Sequence, residues 1–335
     1  MNTKMKRLVA SSAVAVAALT MSLPGGTTIE AAEAQTKHTA KEVPDVSVMA
    51  YNVYMLPRTF YPGWGQVQRG DLIAQSEFIK RNDIVILNEV FDNKASDNLL
   101  TKLKNTYPHQ TPVSGRSKHG WDGTEGSYSH FSIEDGGVAI VSKYPIVKKV
   151  QHVYKNACGH DYLSNKGFVY AKIMKDDKPV HVVGTHMQAE DEKCKPATTE
   201  NDRTQQLKAM RDFVDNQKIP KDEMVVLGGD FNVIKDTKEY KNMLNLLKVS
   251  EPEYIGHDST WDTETNSIAK YNYPNLERQY LDYVFLDKDH AQPKHWSNEA
   301  LLVHSEKWQE RLWFKNYEYN DYSDHYPVVG STNGK

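Results

Sequence analysis

Short apolar runs that end on a polar residue recur along this chain, and they set its predicted architecture. Val46 to Val53 reads as a strand that delivers Asn52, and Asp83 to Leu87 as a second, followed by Asn88 and Glu89. Val138 to Ser142 is a third, and Ile146 to Tyr154 alternates as a half-buried strand does. Phe168 to Ile173 and Val180 to Thr185 flank Asp176-Asp177, the pattern of a hairpin, with His186 at the end of the second arm. Residues 224 to 233, MVVLGGDFNV, run straight into a glycine pair and then Asp230, Phe231 and Asn232. Residues two apart in extended chain share a face, so Asp230 and Asn232 are expected to point together and Phe231 into the protein. Gly228 and Gly229 permit a sharp turn and a close approach to whatever binds there. Leu281 to Leu286, Ala300 to His304 and Tyr326 to Val329 complete the strands, with Asp324 and His325 just before the last.

Helical spacing marks Arg69 to Arg81, through Leu72, Ile73, Ser76 and Ile79, and also Asn93 to Lys104, Thr198 to Gln217 and Tyr240 to Leu247. Pro112 to Gly137 is rich in Gly, Ser, His and Asp and reads as a long loop, of a length that is usually functional. Strands that are partly hairpin-linked and partly crossed over by helices predict two packed sheets flanked by helices.

The first residues follow a different pattern. Lys4, Lys6 and Arg7 precede an apolar stretch from Leu8 to Leu19, then Pro24, Gly25 and Gly26, and Ala32-Glu33-Ala34 forms a small-x-small cleavage site. Residues 1–34 are therefore read as a secretory signal peptide, too short in its apolar part to span a bilayer, and 35–335 as one mature domain. An uncleaved anchor is the less favoured alternative. No later stretch is apolar for long enough to cross a membrane, so the product is expected to be extracellular. Losing three basic and two acidic side chains takes the formal charge from −3 to −4, which does not favour a polyanion as partner. Cys158 and Cys194 are the two cysteines, and in an exported chain they are expected to pair. Closing such a loop contributes about 3 to 4 kcal/mol in a chain-entropy treatment.

The polar strand ends carry the candidate chemistry. Ligands in layered α/β folds gather where strand ends meet loops. Asn52, Glu89, His186, Asp230 and Asn232, with Asp324 and His325, would there supply oxygen and imidazole groups suited to a magnesium-like ion and its phosphate ligand. Taken singly, each of these residues is more often a turn former or a satisfied polar group. The two histidines are the proton-transfer candidates, because imidazole titrates nearest neutrality.

GGDFN at 228 to 232, SDHYPV at 323 to 328, LNEVF at 87 to 91 and YN at 51 to 52 resemble, in content and order, the DNase I-like metal-dependent phosphodiesterase superfamily. The resemblance spans the mature chain and implies an α/β fold, a four-layer αββα sandwich with its site at one rim. Within that superfamily the chain looks most like the bacterial secreted neutral sphingomyelinases, many of them haemolysins. The DYLSNKG run at 161 to 167, the cysteine pair with the leader, and Trp313-Phe314 among Trp308, Tyr317, Tyr319 and Tyr322 carry that narrower likeness. Exposed aromatic rings suit the depth of lipid headgroups, while a core or sheet-edge cluster is nearly as good a reading of composition alone.

The resemblance further implies roles. Glu89 is expected to be the principal ligand of a divalent cation, Mg2+ with Co2+ or Mn2+ able to substitute. Asn52, Asp230 and Asn232 would complete that centre on metal or phosphate. His325 would be the general base, oriented by Asp282 of LDYVF or by Asp324. His186 would meet the phosphate and the leaving oxygen, and Asp161 and Tyr162 would shape the headgroup side. Asn93, Glu134 and Asp135 match a second, peripheral metal site. The implied reaction is hydrolysis of sphingomyelin to ceramide and phosphocholine by a monomer in peripheral contact with a membrane, with no nucleic-acid partner. A secreted nuclease of the same fold is the runner-up and should bring basic residues to its cleft. A non-enzymatic membrane-binding toxin is the alternative of another class.

Overall fold

A computed structural model describes residues 43–312 and 314–332. The signal peptide read at residues 1–34 and the Trp313 half of the aromatic pair lie outside the described residues.

Two seven-stranded sheets form the body of the chain. The first runs in the order β11 (Glu253–Gly256), β13 (Ser297–Ala300), β16 (Val328–Ser331), β1 (Ser47–Asn52), β2 (Ile84–Asn88), β5 (Ala139–Ser142), β3 (His109–Gln110). The second runs β10 (Val249–Ser250), β12 (Asp282–Asp287), β9 (Met224–Asp230), β8 (Lys178–His186), β7 (Gly167–Lys175), β6 (Ile146–Val153), β4 (Gly123–Gly126). The helices are α1 (Gln66–Gln75), α2 (Glu77–Lys80), α3 (Asn93–Leu103), α4 (Thr198–Asn216), α5 (Lys238–Leu247) and α6 (Ser267–Asn272).

Period-two alternation decides the layers. Val48, Ala50, Ile84 and Ile86 of the first sheet join Val182 and Val226 of the second in one buried cluster. Met49, Tyr51, Val85 and Leu87 project from the opposite face and pack with Ile73 of α1 and Leu99 and Leu103 of α3. Beyond the second sheet, Phe168 and Tyr170 meet Phe213 of α4 at ring distances of 5.1 and 5.4 Å. The result is the αββα sandwich of the expectation. Gly184 and Gly228 leave room for Ile86 between the sheets, whose atoms come 2.7 and 3.0 Å from where their Cβ atoms would stand.

Strand direction then gathers the polar ends. β1 and β2 run parallel, as do β8 and β9, with His186 registered opposite Asp230. Parallel neighbours end at one edge, so Asn52 and Asn88, and likewise His186 and Asp230, emerge together. β12 and β16 run antiparallel to β9 and β1, so that rim receives their beginnings: Asp282, registered opposite Asp230, and the segment before Val328.

Several elements differ from the sequence pattern. The helix expected over 69–81 is two, because Ser76 turns extended (φ −65°, ψ 144°) and its hydroxyl bonds the Ile73 carbonyl at 2.8 Å, the backbone competition typical of serine. The strand expected at 300–304 is Ser297–Ala300, and the last strand starts at Val328 rather than Tyr326. One cause serves both: Leu301 N–H reaches the Pro327 carbonyl at 2.9 Å, but proline returns no donor and the ladder stops. β4 lies inside the expected loop 112–137, and a ribbon of β14 (Trp308–Leu312) and β15 (Lys315–Tyr319) was not marked by alternation. The hairpin at Asp176-Asp177 has φ of 50° and 59°, the positive pair that two-residue turns require. Cys158 and Cys194 form a disulfide. Among the described residues no helix is long and apolar enough to cross a membrane.

Candidate active site

The chain leaves β9 by a route that only its glycine allows. Gly229 has φ 133°, and a Cβ there would lie 2.0 Å from the Thr185 carbonyl oxygen. Asn232 follows at φ 52°. Strand alternation therefore does not extend from Asp230 to Asn232: the Asn232 backbone N–H donates to Asp230 Oδ1 at 2.9 Å, and its side-chain nitrogen donates to the Met187 carbonyl at 3.1 Å. Phe231 points into the core as expected. Glu89 also sits at positive φ, 57°, a conformation that costs a non-glycine residue about 1 to 3 kcal/mol and is held by its surroundings. Met55 N–H on the Glu89 carbonyl and Val90 N–H on that of Gly137 supply part of that hold.

Asn52 is the hub. Its amide nitrogen donates to Glu89 Oε1 at 3.0 Å and to Asp230 Oδ2 at 2.9 Å, while its oxygen accepts from Tyr54 N–H at 3.0 Å. The side chain thus presents a donor to the two carboxylates, and its oxygen is turned away from them. Glu89 Oε2 is buried without any hydrogen-bond partner, although the side chain is 16 % exposed. Burial first, and then the nearby Asp324, push Glu89 up to about 7. Burial and then Asp282 push Asp230 up to about 6, and burial raises Asp324 too. Crowded carboxylates with one orphaned oxygen are a site short of positive charge, and this donor set of hard oxygens fits a magnesium-like ion.

Beside them stands a histidine–aspartate pair. His325 Nδ1 lies 2.8 Å from Asp282 Oδ2, and Nε2 lies 3.8 Å from Asp230 Oδ2. Burial alone would lower this imidazole, but Asp282, Asp324 and Asp230 outweigh it and hold the ring well above the usual histidine range. Asp282, and not Asp324, makes the orienting bond. The Ser323 hydroxyl donates to the Asn52 carbonyl at 2.7 Å, tying this loop to the end of β1.

The opposite wall is His186, whose Nε2 lies 3.7 Å from Glu89 Oε1 and 3.8 Å from Asp230 Oδ2. Lys166 Nζ approaches the same nitrogen at 3.2 Å, and an ammonium only donates, so Nε2 accepts. Burial, with Lys166 and His325 adding to it, holds His186 well below the usual range and so neutral. Lys166 is also paired with Asp161 at 2.9 Å, and Asp161 Oδ2 accepts from Ala189 N–H at 2.9 Å. Tyr162, next in the chain, turns outward and is 73 % exposed.

Glu89, His186 and Asp230 lie close enough to share one ion, as do Asp230, Asp282 and His325. Asn93, Glu134 and Asp135 line a separate cavity of about 570 Å³. There the Asp135 carboxylate is already held by Arg116 at 2.9 Å and by Gly137 N–H at 2.9 Å. Burial and Asp135 push Glu134 up to about 7. Phe314 is 97 % exposed at the tip of the ribbon, whose base is anchored by Trp308 and Tyr319 against Trp64 and Ile268.

Sequence reasoning gave no role to three residues of this region. Asn88 bridges the sheets, donating to the Thr185 carbonyl at 2.8 Å and accepting from Asp230 N–H at 3.2 Å. Arg69 is fully buried and binds the carbonyls of Val53, Tyr54, Trp64 and Tyr322. Lys166 lies inside the DYLSNKG run, where a lysine reads as a solvated side chain until the fold buries it.

A buried carboxylate cluster at the rim of an αββα sandwich, faced by a histidine–aspartate pair, defines a class of metal-dependent phosphoesterase, and the chain belongs to the Endonuclease/Exonuclease/phosphatase family, whose sequence profile matches residues 49–325. Within that family it falls among the bacterial sphingomyelinases. It is 54 % identical to a phospholipase C of Staphylococcus aureus over 306 residues, 91 % of this chain and 92 % of the relative. It is 51 % identical to the sphingomyelinase C of Listeria ivanovii over 286 residues, 85 % of each. Its fold matches a substituted beta toxin from Staphylococcus aureus, solved with bound magnesium ions, at TM-score 0.86 and 55 % identity over 87 % of this chain and 100 % of that one.

Proposed function

We propose that this chain is a secreted, magnesium-dependent phosphodiesterase that hydrolyses sphingomyelin to ceramide and phosphocholine at membrane surfaces, with haemolysis as a consequence. The observation that carries the chemistry is the unpartnered Glu89 Oε2 among buried carboxylates, set within reach of His325 and His186. The substrate rests on the sphingomyelinase C relatives. The disulfide fits an oxidising, extracellular compartment.

In this reading Glu89 holds the ion, with Asp230 and Asn232 completing the centre on metal or phosphate. Asn52 serves mainly by fixing the two carboxylates through its amide N–H groups. A bound magnesium, replaceable by cobalt or manganese, polarises the phosphoryl group, stabilises the departing alkoxide and relieves the carboxylate field that keeps His325 protonated. Asp282 accepts from His325 Nδ1–H, which leaves Nε2 as the nitrogen that draws a proton from the attacking water. Water forms the new P–O bond as the bond to the ceramide oxygen breaks. With His186 neutral and its Nε2 accepting from Lys166, the donor on that wall for the phosphate and leaving oxygen is the Lys166 ammonium; His186 meets them itself only once Nε2 carries a proton. Asp161 places that lysine, which is how it shapes the headgroup side. Asn93, Glu134 and Asp135 form the peripheral cation site, and Phe314 with Trp313 contacts the bilayer from a monomeric enzyme.

The test is phosphocholine release from sphingomyelin vesicles by the intact chain and by Glu89→Ala and His325→Ala variants. Loss of turnover in both, with folding preserved, supports the assignment; near-normal turnover in either with magnesium present overturns it.

A further inference from the structure

The DYLSNKG run faces two ways. Asp161 and Lys166 turn inward to His186, whereas Tyr162 and Leu163 between them turn outward. Against this turn lies the loop that carries Phe131, 96 % exposed, and Ile133, whose N–H donates to the Leu163 carbonyl at 2.9 Å. This loop is built rather than loose. Buried Asn165, from the same run, accepts from Ser129 N–H at 3.0 Å and the Ser132 hydroxyl at 3.0 Å, and donates to the Ser129 carbonyl at 2.8 Å. A single exposed apolar residue is ordinary, but Phe131, Ile133 and Leu163 stand together, and a contiguous exposed apolar patch marks an interaction surface.

Across the neighbouring, mainly polar cavity stands another exposed ring. Ile133 and Phe60, 62 % exposed, line the same cavity. Three residues past Phe60, Gly63 lies against Leu312 of the ribbon, whose Cδ2 comes 3.2 Å from where a Cβ on Gly63 would stand. From Leu312 the ribbon leads to Phe314. Exposed apolar side chains thus stand on either side of that mainly polar cavity: Phe60 toward the ribbon, and Ile133, Phe131 and Leu163 toward Asp161, the residue that places Lys166.

We infer that Phe131, Ile133 and Leu163, with Phe60 as the joint to the ribbon, form a second bilayer-contacting surface, so that the enzyme docks on lipid on both sides of its catalytic rim. The inference rests on the reading of the substrate as a membrane lipid. The occupant follows from position: the side chains border the site that must receive a substrate embedded in a bilayer, on the side of the cavity away from the ribbon that carries Phe314. Two separated apolar contacts fix the tilt of the rim, whereas a single tip leaves the enzyme free to pivot. Coupling through Asn165 and Asp161 places the lipid contact and the phosphate wall on one short run of chain.

The experiment compares the full chain with a Phe131→Ser/Leu163→Ser variant in co-sedimentation with vesicles of equimolar sphingomyelin and phosphatidylcholine. Turnover of the soluble ester p-nitrophenyl phosphocholine is measured in parallel. Partitioning is expected to fall about tenfold or more, as burial of a phenylalanine and a leucine is lost, with soluble turnover within about twofold. Unchanged partitioning of a variant that keeps its soluble turnover overturns the inference. So does a wild-type dimer that the same substitutions dissolve in sedimentation velocity, since the patch would then face a second copy. Should the variant lose soluble turnover, Phe131→Leu/Leu163→Ala, which keeps smaller apolar groups, must show a graded fall in partitioning; no graded fall overturns the inference. If the wild-type chain binds these vesicles but releases no ceramide, the functional reading fails, and partitioning of the variant still decides the surface.

Discussion

Replacing Asp282 by asparagine removes one charge from the His325 pair and keeps the shape of a fully buried residue. Both partners are shielded from solvent, so the 2.8 Å bond belongs to the strong, charge-assisted kind, which contributes about 1.5 to 3 kcal/mol. At 1.36 kcal/mol per decade, loss of that term alone in the transition state slows turnover by about 10- to 150-fold. Asparagine can also turn its N–H toward Nδ1 and drive the proton onto Nε2, the nitrogen that must be free to accept one. A wrong tautomer in a serine protease costs about 10⁴ in kcat, so the expected fall lies between about 10² and 10⁴.

The pH dependence gives a second readout of the same substitution. The raised imidazole pKa means that the pair stabilises the fold fully below about 6.5, where the ring is charged folded or unfolded, and less as pH rises through the elevated folded value. Without the Asp282 charge that contribution is smaller and is gone by a lower pH, and the acid limb of kcat moves to lower pH as well. The assay is phosphocholine release from sphingomyelin vesicles across pH, with thermal unfolding alongside. Turnover within threefold of the parent and an unmoved acid limb would refute the orienting role.

Other outcomes follow from the same geometry. Because burial and neighbouring charge push Glu89 up to about 7 and Asp230 up to about 6, the ion-free chain should lose stability as pH rises from about 4 to 7. Magnesium should therefore raise Tm more at pH 8 than at pH 5, and an equal rise at both would contradict the assignment. Lys166→Met leaves Asp161 unpaired and His186 without its cation, and should cut kcat/KM by about 10- to 100-fold, with partial recovery in Lys166→Arg. Cys158→Ser with Cys194→Ser should lower stability by about 3 kcal/mol in chemical denaturation and leave the metal response intact. Trp313→Ala with Phe314→Ala should reduce activity on bilayers and spare a soluble phosphocholine ester; equal loss on both would remove the ribbon from the membrane reading.

The sheets were legible because their strands are apolar runs of ordinary length, and the rim was legible because each run ends on a polar side chain. What alternation could not supply was direction at those ends. The pleat does not carry through from Asp230 to Asn232: Gly229 sits at φ 133°, Asn232 at φ 52°, and it is the Asn232 backbone N–H that reaches the Asp230 carboxylate, while the Asn232 side-chain nitrogen donates to the Met187 carbonyl. Choosing Asp282 over Asp324 required the register of β12 against β9, a long-range fact that no local pattern encodes. Lys166 and Arg69 stayed hidden for a related reason: both are long cations whose burial depends on carbonyls and carboxylates distant in sequence. Proline explains the shifted strand ends, since Pro327 stops the one ladder that β13 and β16 share.

The account turns on one activity. Purified chain should be offered sphingomyelin vesicles and double-stranded DNA in parallel, each with magnesium and with a chelator, and ceramide and DNA fragments quantified. The account predicts ceramide release that requires magnesium, is abolished by the chelator and returns on adding the ion back, with DNA left intact. Ceramide release that persists in chelator, or DNA cleavage without ceramide, would contradict it.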